Sequence, residues 1–209
     1  MGWLPLAKLA LDFLGGSLTA NPIQEIIQRL GRTAIYFLVA VLACTPLNTL
    51  FGWQAVLQRR RSLGLYAFMY ASLHFLVFAG LDYGSNIKLI TEAIFEKPFA
   101  LMGAIGFLML LPLAITSSRW WIKVLGKGWQ NLHRLVYLAS TILIIHFAWA
   151  RKGNLTMLRG DIQQPLTLGL IVVVLLVLRI PPVKSWLEQL RHKIALRHRQ
   201  SPSPKSNLS

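Results

Sequence analysis

The sequence is poor in charge. Of its 209 residues only 14% are Asp, Glu, Lys or Arg, against about 25% in soluble domains. Acids are the scarcer sign, seven against 22 Lys and Arg. Cys44 is the only cysteine, which excludes an intramolecular disulfide framework. No Gly-rich dinucleotide fingerprint is present, and the polar loops are too short to hold a flavin or nicotinamide domain. No internal repeat and no second folded domain stand out. What is abundant is apolar: 55% of the residues are hydrophobic and the mean hydropathy is +0.53. That balance excludes dominant disorder and argues against a water-soluble enzyme. It fits an all-α, polytopic membrane helix bundle.

Gaps between charges count the crossings. There are 26 uncharged residues between Arg32 and Arg59, 20 between Arg61 and Asp82, and 21 between Lys97 and Arg119. A further 16 separate Arg134 from Arg151, and 17 separate Asp161 from Arg179. A helix needs about 17–25 mostly apolar residues to span a bilayer, and only a helix satisfies its own backbone there. Five clear transmembrane helices are therefore expected. Trp3 to Ala20 is apolar but carries Lys8, Asp12 and Gly15–Gly16, and reads as a short or truncated first helix or an interfacial one. It lacks the basic start and small-residue cleavage site of a signal peptide.

Basic residues give the orientation. With alternating spans, one side holds 14 Lys and Arg against the single acid Glu188, and the other holds seven against five. The positive-inside rule places the first side in the cytoplasm, so the net charge of +15 is mainly a topology signal. A nucleic-acid role would need a soluble basic domain, and none is visible. All seven tryptophans fall at or near the expected span ends. After Pro181–Pro182, the apolar positions Val183, Leu187, Leu190 and Ile194 recur at helical spacing among Lys184, Arg191, Lys193 and Arg197. They predict a basic amphipathic helix on the inner leaflet, in contact with anionic lipid. The expected division is a transmembrane domain over 1–182 and an amphipathic helix with a loose tail over 183–209.

Three of the five histidines lie in or at the ends of spans: His74, His133 and His146. An ionisable residue inside the membrane is a functional candidate by default. The bland reading is a neutral imidazole bonded to a neighbouring helix carbonyl or facing a polar cavity. At about 1.5 Å per residue, His74 lies roughly 20 Å beyond Arg61, and His146 about 7–8 Å short of Arg151. Both therefore sit near the same level, roughly 10 Å or less from the outer edge. Two imidazoles at one depth suit a six-coordinate haem, whereas zinc or copper sites want three or four ligands. His133, 13 residues before His146, falls about 20 Å nearer the cytoplasm and could serve a second haem. Its side chain lies some 140° around a straight helix from His146, so a bend or a different approach angle is needed. Opposite it stands Arg60, better suited to a haem propionate than to iron. Arg32 is a further candidate for a propionate or an acidic partner, or a lipid anchor at a helix end. The stretch from Asp82 to Lys97, with Ile87, Leu89, Ile90, Ile94 and Phe95 among three acids, is either a docking element or a cap on the bundle.

Several short stretches in order carry a resemblance. They are NPIQEI from Asn21, GRTA from Gly31, TPL from Thr45, and RRRSLGL from Arg59 leading to His74. EKPF from Glu96, ITSS from Ile115 and LGKGWQNLHRLVY from Leu125 follow, and then His146. Together they resemble the MsrQ (YedZ) family, haem-binding membrane subunits of bacterial periplasmic methionine-sulfoxide reductase systems, within the ferric-reductase-like transmembrane superfamily. Leu4–Pro5 aligns with the middle of that family's first helix, so the preceding turns are expected to be missing from the first span.

The resemblance implies a function. Such proteins pass electrons from the quinone pool to a periplasmic molybdenum-containing partner, which repairs methionine sulfoxide in envelope proteins. It also implies haem b held by His74, His146 and His133, an inner-membrane location with a cytoplasmic C-terminus, and FMN on analogy alone. Electrons must come from another molecule: a quinol, or a flavin reductase docked on the basic face. Two rival readings are a transmembrane ferric or cupric reductase cytochrome, and a haem-free transporter or assembly subunit. The repeat symmetry and paired broken helices of transporters are not visible in the sequence.

Overall fold

Proline in the first turn opens two of the long helices. Asn21 accepts from the Gln24 backbone N–H at 3.2 Å, Pro22 occupies the first turn, and Glu25 follows at the positive end of the helix. The next long pair begins at Pro98, again with proline in the first turn but with no side-chain cap from Lys97. The structure, a computed structural model, describes residues 2–151, 163–187 and 189. Helices are α1 (Leu4–Leu14), α2 (Pro22–Phe51) and α3 (Gln54–Val77), the last running into a π-helical turn at Phe78–Asp82. Then come α4 (Ile87–Glu96), α5 (Pro98–Ile115), α6 (Arg119–Leu125), α7 (Lys127–His133), α8 (Leu135–Ala150) and α9 (Gln163–Val177). A short α10 (Pro181–Leu187) turns 80° away from α9. There is no strand among the described residues.

Four described helical stretches are long and apolar enough to cross a membrane, and α9 with α10 makes a bent fifth. The chain is a polytopic helical membrane protein. Several expectations shift in detail. The first span begins at Pro22 and not after Arg32, so Glu25, Arg29 and Arg32 lie inside a 30-residue helix about 45 Å long. Arg29 is tolerated there because it pairs with Asp12 of α1 and, at 2.5 Å, with Glu25 one turn back. Arg59, Arg60 and Arg61 likewise lie within α3 and not before it. α1 has 11 residues, about 16 Å, too short to span. Instead Tyr70 pins its start: the hydroxyl accepts from Leu6 N–H and donates to the Gly2 carbonyl at 2.8 Å. Of the expected basic amphipathic helix, Val183, Lys184 and Leu187 are among the described residues, while Leu190, Arg191, Lys193, Ile194 and Arg197 lie outside them.

The bundle is two antiparallel hairpins, α2 with α3 and α5 with α8, and these are its most extensive helix pairings. An internal repeat, not apparent in the sequence, emerges from their packing. The central core cluster contains Leu38, Ala67, Leu110 and Ala139, and the last two follow the first two by 72 residues. Small alanines at matched positions, 2% and 0% exposed, let the hairpins approach closely. Leu42, Leu113, Val136 and Val172 complete the cluster, the last bringing in α9.

Candidate haem site

The same 72-residue offset builds the site. His74 lies in the last turn of α3, and its Nδ1 is 2.8 Å from the carbonyl oxygen of Ile27 near the start of α2. His146 lies near the end of α8, and its Nδ1 is 2.7 Å from the carbonyl oxygen of Phe99 at the start of α5. Each contact spans 47 residues of chain. In both, a carbonyl can only accept, so Nδ1 carries the proton; an unpaired charge is costly in this apolar interior, so the ring is neutral and Nε2 keeps its lone pair. Both imidazoles are thus neutral tautomers ready to ligate through Nε2, the arrangement that outer hydrogen bonds impose on metal-binding histidines.

The rings face one another. Their centres are 6.2 Å apart and their planes are inclined by 77°. Two imidazoles bound through Nε2 on opposite faces of one metal ion, at bonds of about 2.0–2.1 Å, have ring centres about 6.3–6.5 Å apart, close to the separation here. Both histidines line a cavity of about 410 Å³ between the hairpins. Its walls are apolar, with Ala71, Phe75, Phe107, Leu110 and Leu143 among them, and Phe107 stacks on Phe75 at 5.3 Å. Its polar lining includes the cations Arg32, Lys97 and Arg151. The Nε of Arg32 is buried without a hydrogen-bond partner. Lys97 donates to the Tyr83 hydroxyl at 2.8 Å, and this bond holds its ammonium above the usual lysine range, so it stays charged. Among the described residues no group of three or more His, Cys, Asp or Glu side chains converges. Two facing imidazoles, an apolar slot and cations around it fit a bis-histidine haem with two propionates, and do not fit a zinc or copper centre.

The other sequence candidates lie elsewhere. His133 ends α7, stacks on Trp129 at 4.0 Å and points Nδ1 at that residue's own carbonyl at 3.1 Å. α7 and α8 meet at Arg134, whose backbone stays helical (φ −68°, ψ −20°), so Lys127–Ala150 runs as one stretch of 24 residues. The position 72 residues before His133 is Arg61, so the second hairpin's histidine has no histidine counterpart. Arg60 is near enough to His133, Cys44 and Arg179 for electrostatic coupling and does not line the cavity. Arg32 does line it. Sequence reasoning missed Gly31, Gly103, Lys97 and Arg151. Two isolated glycines inside helical runs were the available signal for the first pair.

Comparison with known proteins decides the family. Residues 30–144 match the family model described as the ferric reductase like transmembrane component. The chain is 41% identical over 191 residues to the protein-methionine-sulfoxide reductase heme-binding subunit MsrQ of Herminiimonas arsenicoxydans, covering 91% of this chain and 84% of that protein. The chain belongs to the MsrQ family. The MsrQ of Rhodospirillum rubrum is 39% identical over 86% of this chain and 83% of its own length. That of Caulobacter vibrioides is 34% identical over 84% and 81%. No solved structure matches the chain. The MsrQ match extends beyond the ferric-reductase segment, which runs from Leu30 within α2 to Ile144 within α8 and so includes His74 and stops two residues before His146.

Proposed function

We propose that this MsrQ-family chain is the haem-binding, electron-transferring membrane subunit of a protein-methionine-sulfoxide reductase system. The observation that carries the reading is the His74–His146 pair, 6.2 Å apart in an apolar cavity. A haem b held there supplies one-electron transfer at its iron. The chain's residues do the rest. His74 and His146 present Nε2 because the Ile27 and Phe99 carbonyls hold the opposite nitrogen. Phe75, Phe107, Leu110 and Leu143 keep water from the slot. Arg32, Lys97 and Arg151 supply positive charge for carboxylates.

The wider assignment rests on the family and on charge. The Arg59–Arg61 end faces the cytoplasm by the positive-inside rule, which puts the histidine pair toward the periplasm of a bacterial inner membrane. The donor is a quinol or a cytosolic flavin reductase, and the acceptor a periplasmic molybdenum-containing reductase. Oxidation of a quinol releases two electrons and two protons, and reduction of a sulfoxide to thioether and water consumes the same. The geometry supports one haem at His74 and His146. A second at His133 finds no facing histidine among the described residues, with Arg60 left as a propionate partner.

The test is a dithionite-reduced minus oxidised spectrum of the purified protein with a pyridine haemochrome count. The expected result is a b-type spectrum lost in His74→Ala and in His146→Ala. Unchanged haem content in both variants would overturn the assignment. His133→Ala and the count distinguish one haem from two, and flavin fluorescence after denaturation tests for FMN.

A further inference from the structure

The two histidines are seated on glycines. A Cβ built on Gly31 would lie 2.9 Å from His74 Nδ1 and 3.1 Å from its Cε1. One built on Gly103 would lie 2.8 Å from His146 Cε1 and 2.9 Å from its Nδ1. At both places the edge of the imidazole lies against helix backbone where only a hydrogen atom fits. Alanine is the better helix former, so neither glycine serves its own helix. Each serves the ring.

The close approach has a chemical result. Ile27 and Phe99 each stand four residues before their glycine, so in an α-helix their carbonyls already take the glycine N–H. The remaining lone pair takes the histidine Nδ1–H at 2.8 and 2.7 Å. Each ring is thereby fixed at two points, by contact with the glycine and by a bond one turn away. The two seats together set the 77° between the planes.

We infer that Gly31 and Gly103 are positioning residues that fix the rotation of the two axial imidazoles and the strength of their Nδ1–H bonds. The inference rests on the haem reading above. Ring rotation governs how the ligand orbitals overlap those of the iron. A strong Nδ1–H bond makes the imidazole a better donor and favours the oxidised metal. A side chain at either glycine must push its ring away from the carbonyl, weakening that bond and turning the plane.

The test is electron paramagnetic resonance and redox titration of detergent-purified, haem-loaded protein, for the wild type and for Gly31→Ala, Gly103→Ala and Gly64→Ala. Gly64 is the control: it lies on the His74 helix, and a Cβ there meets nothing nearer than Val41 at 3.9 Å. Near-perpendicular planes should give the wild type a highly anisotropic low-spin signal with one dominant low-field feature. Gly31→Ala and Gly103→Ala should retain low-spin haem, move that feature toward the three-line rhombic form and raise the midpoint potential. Gly64→Ala should match the wild type. A rhombic wild-type signal would overturn the inference and leave the haem reading intact. So would Gly31→Ala and Gly103→Ala proteins with unchanged signal and potential. A wild type that takes up no haem fails the underlying reading instead. If a glycine variant loses haem altogether, the wild-type signal decides.

Discussion

Arg179 donates to the main-chain oxygen of Leu42 at 2.7 Å, and Leu42 carries the carbonyl that Pro46 leaves without its helical donor. A proline inside a helix has no N–H to offer the carbonyl four residues back. The guanidinium fills the gap from two residues past the end of α9, and its other terminal nitrogen donates to the Tyr137 hydroxyl at 2.7 Å. One side chain thus ties α9 to α2 and α8. Arg179→Ala should destabilise the protein by about 1–3 kcal/mol, the cost of a buried acceptor left unpaired. In a Pro46→Ala background the Leu42 carbonyl regains a backbone donor, so the same substitution should cost less. Thermal unfolding of the two single variants and the double variant measures the coupling.

Tyr70→Phe should free the N-terminal helix without emptying the cavity. The ring is 1% exposed, and its hydroxyl holds both Leu6 N–H and the Gly2 carbonyl. The expected loss is about 1–3 kcal/mol, felt locally. Hydrogen exchange over residues 2–14 should accelerate while the haem spectrum stays the same. Equal exchange in both proteins would show that α1 is held by other contacts.

Arg32→Gln should loosen the haem. It removes a cation from the cavity wall whose Nε has no protein partner. A charge-assisted bond to a propionate lost in this way corresponds to roughly tenfold faster haem transfer to apomyoglobin, or about 1.4 kcal/mol. Arg119→Gln, exposed and away from the cavity, should leave that transfer rate unchanged.

Cys44 should be silent to maleimide in the folded protein. Its side chain is fully buried, and its thiol contacts the Ala40 carbonyl at 3.2 Å. Labelling should appear only as the bundle unfolds, giving a one-site reporter for stability measurements in detergent. Rapid labelling of native protein would contradict the packing of α2.

Much of this was legible before any coordinates. Charge gaps locate the spans because lipid tolerates few charges. The level of His74 and His146 follows from helical rise alone. What could not be read was tertiary. The start of α2 was missed because Arg29 is neutralised by Asp12, 17 residues away on another helix. The repeat was hidden because its matched positions (Gly31 with Gly103, Leu38 with Leu110, Ala67 with Ala139, His74 with His146) are scattered among residues that differ. Only the interface selects them. The glycines gave a signal that sequence reasoning did not use, since a glycine's neighbour across a helix pair is invisible until the pair is built.

Because one histidine comes from each hairpin, an iron held between them would also be a clasp. A ligand gripped by both halves and held properly by neither adds its binding free energy to their association. Without it the hairpins keep the core cluster that includes Leu42, Ala67 and Ala139 but lose that bridge. Proteolysis acts on such partly opened forms. The abundance of this protein in the membrane should therefore follow haem supply, with the empty chain cleared and not stockpiled.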